Sequence, residues 1–301
     1  MKIIVAGIHG LTADQANRLK SLGDATFFAE APKTKEEKLA QLRDADIICG
    51  ETEFVMDVIY ELKDKMISFP FVGVGFMDLD RLSNNNVKIA NAPGCNKSAV
   101  SEWIVAMLLI LSRKLMKYID IKEIAKDDFM EPIQGLAREK ITILGKGNIG
   151  SKLGKICETL DMKVTHFDKG DNLSESVQGA DFVVNALAHN KETEGMLNET
   201  FFASLKDGVF FVSITDTEIY DKNALVKFID SGKIAGAAID PAGAGVFDPS
   251  NHSYQELLSH PKILVTPHIA FHSDVTTKIA NDIMIDNVEA WTKDTPQNIV
   301  N

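Results

Sequence analysis

The sequence predicts an α/β protein of two lobes, each a parallel sheet with helices on both faces. Three observations carry that prediction. Short apolar or β-branched runs alternate with amphipathic stretches along the whole chain, the pattern of βαβ units whose sheets are covered on both sides. The alternation comes in two series, one ending near residue 95 and another opening at Ile141. The length, 301 residues, suffices for two cores of ordinary size.

The elements follow in order. KIIVAG reads as the first strand, and a helix begins after Thr12, where Thr12 and Gln15 have capping-box spacing. ATFFAE, a Lys/Glu-rich helix, DIICG, the helix FVMDVIYELKDKM, FPFVGVG and VKIAN complete a five-stranded first lobe. After the loop Pro93-Gly94-Cys95-Asn96 the pattern predicts one long helix from Lys97 to about Ile124, then the irregular passage DDFMEPIQGLARE. The second lobe runs through ITILG, VTHFD, DFVVNAL, GVFFVSI, AGAAID and ILVTP. The closing segment, Ser273 to Lys293, reads as one helix with Ile279, Ile283, Ile285, Val288 and Trp291 inward, expected to pack back on the first lobe.

Composition narrows the partners. Forty-three acidic residues against 32 basic ones leave a formal charge of −11. Such a surface repels phosphate backbones and anionic lipid, so nucleic acid and membranes are excluded and a small-molecule substrate is expected. The longest wholly apolar run, Ile104 to Leu111, is far short of the roughly 20 residues that cross a bilayer. The opening MKIIVAG reads as a strand rather than an export signal, and three scattered cysteines make no disulfide framework. A cytoplasmic protein is the expectation. Cys49 and Cys157 lie in apolar segments and read as core fillers; Cys95 sits in a loop with no base placed to activate it.

The most informative motif is Gly145-Lys146-Gly147-Asn148-Ile149-Gly150. A lone G-x-G-x-x-G is weak, but this one follows the strand Ile141–Leu144 and opens a helix ending near Leu160. A second strand then ends on Asp168, at the spacing of a dinucleotide fingerprint. Gly145 makes the tight turn, Gly147 lets backbone approach a pyrophosphate, and Gly150 lets helix and strand pack closely. The helix N-terminus, at Asn148 and Ile149, offers unpaired N–H groups to the phosphates. Asp168 can accept both ribose hydroxyls and repels a 2′-phosphate, which favours NAD over NADP.

With these residues in view, the chain resembles the D-2-hydroxyacid dehydrogenase family over nearly its whole length. VGVGFMDLD (72–80), NAPGCNKSAVSEW (91–103), GKGNIG, SGKIAGAAID (231–240) and TPHIA (266–270) fall in the family's order. The resemblance implies a flavodoxin-like substrate lobe, residues 1–94 with 272–301, and a Rossmann NAD lobe, residues 95–271, that clamp substrate between them. It implies a homodimer formed through the second lobe, a reading to which the run IVAMLLIL adds. It assigns His268 as the acid/base that exchanges a proton with the substrate's C2 oxygen, and Asp240 as the contact of the nicotinamide carboxamide. Val74 and Gly75 would bind the substrate carboxylate through their backbone, Asn96 would line the site, and Glu51 falls in the loop that meets the substrate side chain. No metal is implied.

The chain departs from the family pattern at three places. Asp216 occupies the position of the catalytic Arg, Gly243 that of the catalytic Glu, and Ala186 and Ala188 stand where His and Pro are usual. Two functions therefore stay open: an NAD(H)-dependent oxidoreductase of hydroxy or oxo substrates with an altered active site, or an NAD(H)-binding regulator or sensor without hydride transfer.

Overall fold

The computed structural model describes residues 1–119, 132–215, 217–241 and 252–301. The chain divides into two compact units, Met1–Asn96 with His272–Asn301, and Lys97–Phe271.

In the first unit the strands β1 (Lys2–Ala6), β2 (Asp24–Phe28), β3 (Ile47–Gly50), β4 (Lys65–Ser68) and β5 (Val87–Ala90) form a parallel sheet in the order β2-β1-β3-β4-β5. That is the flavodoxin-like winding. Side chains alternate along each strand. Ile3, Val5, Ile47, Cys49 and Met66 bury on one face, and Ile4, Ala6, Ile48 and Ile67 on the other. Helix α1 (Ala13–Leu22) starts at Thr12 with both bonds of a capping box, and Gln15 also donates to Lys278 O and Asp282. Helix α2 (Lys35–Leu42) begins with a second box, Thr34 and Glu37.

Two first-unit elements differ from the sequence pattern. Residues 54–66 form no single helix: a turn at Thr52–Val55 and another at Ile59–Glu61 precede β4. Phe54, Val55, Val58, Ile59 and Leu62 still bury together, but Asp64 takes a positive φ of 53° and the chain turns into the sheet there. The fourth strand is consequently KMIS and not FPFVGVG. Pro70 has no N–H for a ladder, and the strand ends just before it.

In the second unit helix α3 (Lys97–Ser112) leads to the strands β6 (Lys140–Leu144), β7 (Lys163–Phe167), β8 (Phe182–Asn185), β9 (Val209–Ser213), β10 (Ile234–Ile239) and β11 (Ile263–Val265). They pair in parallel as β11-β10-β9-β8-β6-β7. Winding reverses around β6, so the C-terminal ends of β6 and β8 flank the crevice where ligands of such sheets bind. One face is covered by Val100, Ile104, Met107, Leu108 and Leu111 of α3, with Leu153 and Cys157 of α4 (Asn148–Thr159). The other carries α5 (Lys222–Asp230) and α6 (His252–Ser259), through Leu225, Ile229 and Leu257. Helix α3 ends before the predicted end near Ile124, and residues 120–124 lie outside the described residues. It stops at Ser112, Lys114 takes a φ of 53°, and a separate turn follows at Leu115–Tyr118. The apolar side chains beyond the break, Leu115, Met116 and Ile119, are exposed.

Helix α7 (Asp274–Thr292) belongs to the first unit, capped by Ser273. Met284, Ile285 and Val288 are fully buried against the face of Ile3, Val5 and Ile47. Each such side chain contributes about 1.5–3 kcal/mol. Asn287 donates to Asn91 O and Ser68, and Arg18 of α1 pairs with Asp286 at 2.6 Å. The chain then runs beside β5, where Val300 N–H donates to Ile89 O.

Candidate active site

All strands of the second unit are parallel, so the loops after them share one edge of the sheet. Across that edge the candidate residues follow strand order: Asp168 after β7, Gly145 after β6, Asn185 closing β8, Ser213 closing β9, Asp240 after β10 and His268 after β11. Four strand spacings of about 4.8 Å put β6 and β11 roughly 19 Å apart, the layout an extended ligand requires.

The three loop glycines have different surroundings. Gly145 has a φ of +101°, and a Cβ there would lie 2.7 Å from Ala186 O. A Cβ on Gly150 would lie 2.0 Å from Gly145 O. Around Gly147 no atom falls within 4 Å of that position, so its backbone faces open space. Gly147 is also the N-cap of α4, whose first N–H groups have no side-chain cap there.

A cavity of about 480 Å³ opens at this point, lined by Lys97, Lys146, Gly147, Asn148, Ser151, Lys152 and Lys155. In a chain of net charge −11, four lysines lining one cavity, Lys146 beside the N-terminus of α4 and Lys152 and Lys155 on its first turns, make a local anion site. The residues present fit the pyrophosphate of a dinucleotide. The glycine motif is legible in the sequence; the only sequence signal of the lysine cluster is the spacing of Lys146, Lys152 and Lys155.

Asp168 is exposed at the end of β7, and its Oδ1 accepts from Lys169 N–H at 2.8 Å. The Lys169 ammonium is turned to both carboxylate oxygens of Glu192, at 2.8 and 2.9 Å. In the middle of the edge Asn185 donates to Thr215 at 2.7 Å and to Ser213 at 3.2 Å, all three side chains buried.

Asp240 is 2% exposed. Its carboxylate accepts from Thr266 Oγ1, from Ile269 N–H at 2.9 Å and from Ala270 N–H at 2.8 Å. His268 lies inside the turn so gripped, exposed, with a φ of 54° and its ring 5.2 Å from that of Phe271. Asp216 and Gly243 lie outside the described residues.

In the first unit, ideal Cβ positions on Gly73 and Gly75 meet nothing within 4 Å, and Val74 between them is half-buried. Asn96 is half-buried just before α3. Glu51 follows β3, and burial raises its carboxyl above the usual range, partly opposed by His9. The three cysteines are free and buried; burial pushes the Cys49 and Cys157 thiols up to about 12 and Cys95 up to about 11, which leaves no thiolate at neutral pH. No group of metal-ligating side chains and no helix able to cross a membrane occurs among the described residues.

Residues 105–270, more than half of the chain, match the model of the D-isomer specific 2-hydroxyacid dehydrogenase NAD binding domain. The chain belongs to the D-isomer specific 2-hydroxyacid dehydrogenase family. Its second unit is therefore an NAD-binding domain. A D-lactate/D-glycerate dehydrogenase of Pediococcus acidilactici is 30% identical to this family member over 259 residues, 78% of each chain. Among solved structures, an acyclic imino acid reductase in complex with NADPH and D-Arg superposes with a TM-score of 0.84 at 21% identity, over 100% of both chains. The NAD-complexed D-isomer specific 2-hydroxyacid dehydrogenase of Lactobacillus delbrueckii ssp. bulgaricus gives 0.80 at 20% identity, again over 100% of both.

Proposed function

We propose that this chain is an NAD(H)-dependent oxidoreductase of small hydroxy or oxo substrates whose active site departs from its family's usual one. The observation that carries this reading is the alignment, along one sheet edge, of a lysine-lined dinucleotide loop and an exposed histidine. NAD, when bound, supplies or accepts the hydride. The residues of the chain do the rest. The N-terminus of α4 and its lysines hold the phosphates, with Gly145, Gly147, Asn148, Ile149 and Gly150 shaping the cradle. Asp168 accepts the ribose hydroxyls, and the commitment of Lys169 to Glu192 supports NAD over NADP. His268 gives or takes the proton on the substrate's C2 oxygen. Val74 and Gly75 are assigned the substrate carboxylate, with Asn96 and Glu51 as further substrate contacts.

The altered feature is Asp216, at the family's Arg position. Two unit charges near 4 Å interact by about 4 kcal/mol at an effective dielectric of about 20, so reversing the sign disfavours a substrate anion by several kcal/mol before solvent relaxes it. Steady-state NADH oxidation against oxo acids, aldehydes and imines tests the reading. Imines belong on the panel because a protonated imine is a cation, which a carboxylate attracts, and an imino acid reductase shares this fold. Native turnover of pyruvate or glyoxylate should be very low, and Asp216→Arg should raise it by about ten- to a thousand-fold. His268→Gln should abolish turnover of any accepted substrate while NADH still binds. Rapid native turnover of simple oxo acids would show that another cation replaces the Arg.

The second reading, an NAD(H)-binding regulator or sensor, is favoured by the joint absence of the family's Arg and Glu from the sequence. It predicts NADH binding with no turnover in native or Asp216→Arg protein. Under either reading we propose a cytoplasmic homodimer formed through the second unit. Leu109, Leu115, Met116 and Ile119, 39%, 42%, 36% and 71% exposed, give its face.

A further inference from the structure

We infer that Asp240 is a positioning residue for His268, acting through the backbone of the turn that carries it. The inference rests on the reading of His268 as the acid/base.

The turn Thr266–Ala270 has little of its own to hold it. Within it His268 N–H closes on Thr266 O at 3.0 Å, and His268 sits in the left-handed region, which side chains other than glycine seldom occupy. The adjoining strand β11 is three residues long. From outside, Thr266 N–H donates to Ile239 O at 3.0 Å and Ala270 packs in the core, and the carboxylate on the neighbouring strand's end holds the groups on either side of His268. Asp240 accepts from Thr266, two residues before the histidine, and from Ile269 and Ala270, the two after it. The gripped groups bracket His268 on both sides, and its side chain is left exposed.

Asp240 is itself anchored. Its N–H donates to Ser213 O at 2.9 Å, and its side chain is buried where water cannot compete. An ionised carboxylate suits this place because it only accepts, and all three groups facing it are donors. An asparagine cannot reproduce the set, since its amide nitrogen would oppose one of the donors. The geometry thus links the end of β9 to Asp240 and Asp240 to the histidine turn. It aims the imidazole without touching it.

The test compares Asp240→Asn, Thr266→Val and Thr266→Ser with the unmodified chain. Three readouts are taken: hydrogen exchange of the Ile269 and Ala270 amides, NADH affinity by fluorescence titration, and kcat at saturating NADH. Asp240→Asn should speed exchange of both amides at least tenfold and lower kcat at saturating NADH at least tenfold, over and above any change in the Kd for NADH that follows from its expected carboxamide contact. Thr266→Val should lower kcat several-fold, and Thr266→Ser, which keeps the hydroxyl, should restore it. Unchanged amide exchange in Asp240→Asn overturns the inference, as does a tenfold loss of NADH affinity with kcat intact, which would make Asp240 a cofactor contact alone. If Asp240→Asn does not fold, equal kcat and amide exchange in Thr266→Val and the unmodified chain overturn it. If the unmodified chain turns over no substrate, the oxidoreductase reading fails, and the exchange comparison still decides whether Asp240 holds the turn.

Discussion

Gly147→Ala separates cofactor binding from folding more cleanly than any other change in the loop. Gly147 has a φ of −72°, which alanine adopts freely, and no atom lies within 4 Å of the added Cβ. The folding terms nearly cancel. Alanine restricts the unfolded chain, a gain of about 0.4–1 kcal/mol, and is a poorer N-cap than glycine, a loss of similar size. The net effect should stay within about 0.5 kcal/mol, or roughly 1–2 °C in Tm for a unit of this size. Binding should respond differently, because the new methyl occupies the space through which a pyrophosphate meets the backbone N–H groups of α4. Losing one charge-assisted hydrogen bond costs about 1.5–3 kcal/mol, so NADH should bind roughly ten- to a hundred-fold more weakly. Calorimetric titration with NADH, paired with thermal unfolding of the free protein, reads both quantities. Unchanged Tm with unchanged Kd would refute the placement of the phosphates over Gly147. A large fall in Tm would refute the claim that the space is empty.

Three further outcomes are expected. Asp168→Ala should weaken NAD and narrow its advantage over NADP; equal calorimetric affinity for the two nucleotides in the unmodified protein would contradict the assignment of Asp168. Burial gives Glu51 a higher pKa folded than unfolded, so its ionisation withdraws stability as pH rises through the carboxylate range. Glu51→Gln should therefore raise Tm at pH 8, by an amount that shrinks as the pH is lowered toward 4, and a gain independent of pH would point to packing instead. Light scattering at micromolar concentration should show a dimer that Leu115→Glu with Ile119→Glu dissociates; a monomeric native protein would remove the proposed interface.

Much of the architecture was legible because its signals are local. The spacing of Thr12 and Gln15 marks a helix start wherever it folds, and both bonds of the box form. The second unit's strands are short, rich in apolar residues and bounded by turn residues, and each overlaps the segment that predicted it to within one residue at its start. The misread elements have tertiary causes. Residues 54–66 carry helical periodicity, yet β3 and β5 recruit Lys65 and Met66 as a strand, and that pairing overrides the period. FPFVGVG looks β-rich, but the ladder stops at Pro70. In α3 the apolar run continues past Ser112, but the backbone turns at Lys114, which takes a positive φ. The site shows the same division. The glycine spacing can be read along the chain, whereas the lysine cluster needs Lys97 brought beside Lys146. The donors facing Asp240 lie 26 to 30 residues downstream and meet it only once β10 and β11 pair.

The return of α7 to the first unit has a consequence for the order of events on the ribosome. The sheet face bearing Ile3, Val5 and Ile47 takes much of its cover from Met284, Ile285 and Val288. Those residues emerge about 200 positions after β5 is complete, and at about 5–20 residues per second this leaves the face bare for roughly 10–40 s. The second unit is contiguous from Lys97 to Phe271 and can close while the first still waits. Nascent chains should therefore acquire protease resistance in the second unit first, although it is synthesised later. A circular permutant that begins with residues 272–301 should shorten the interval and refold with less aggregation.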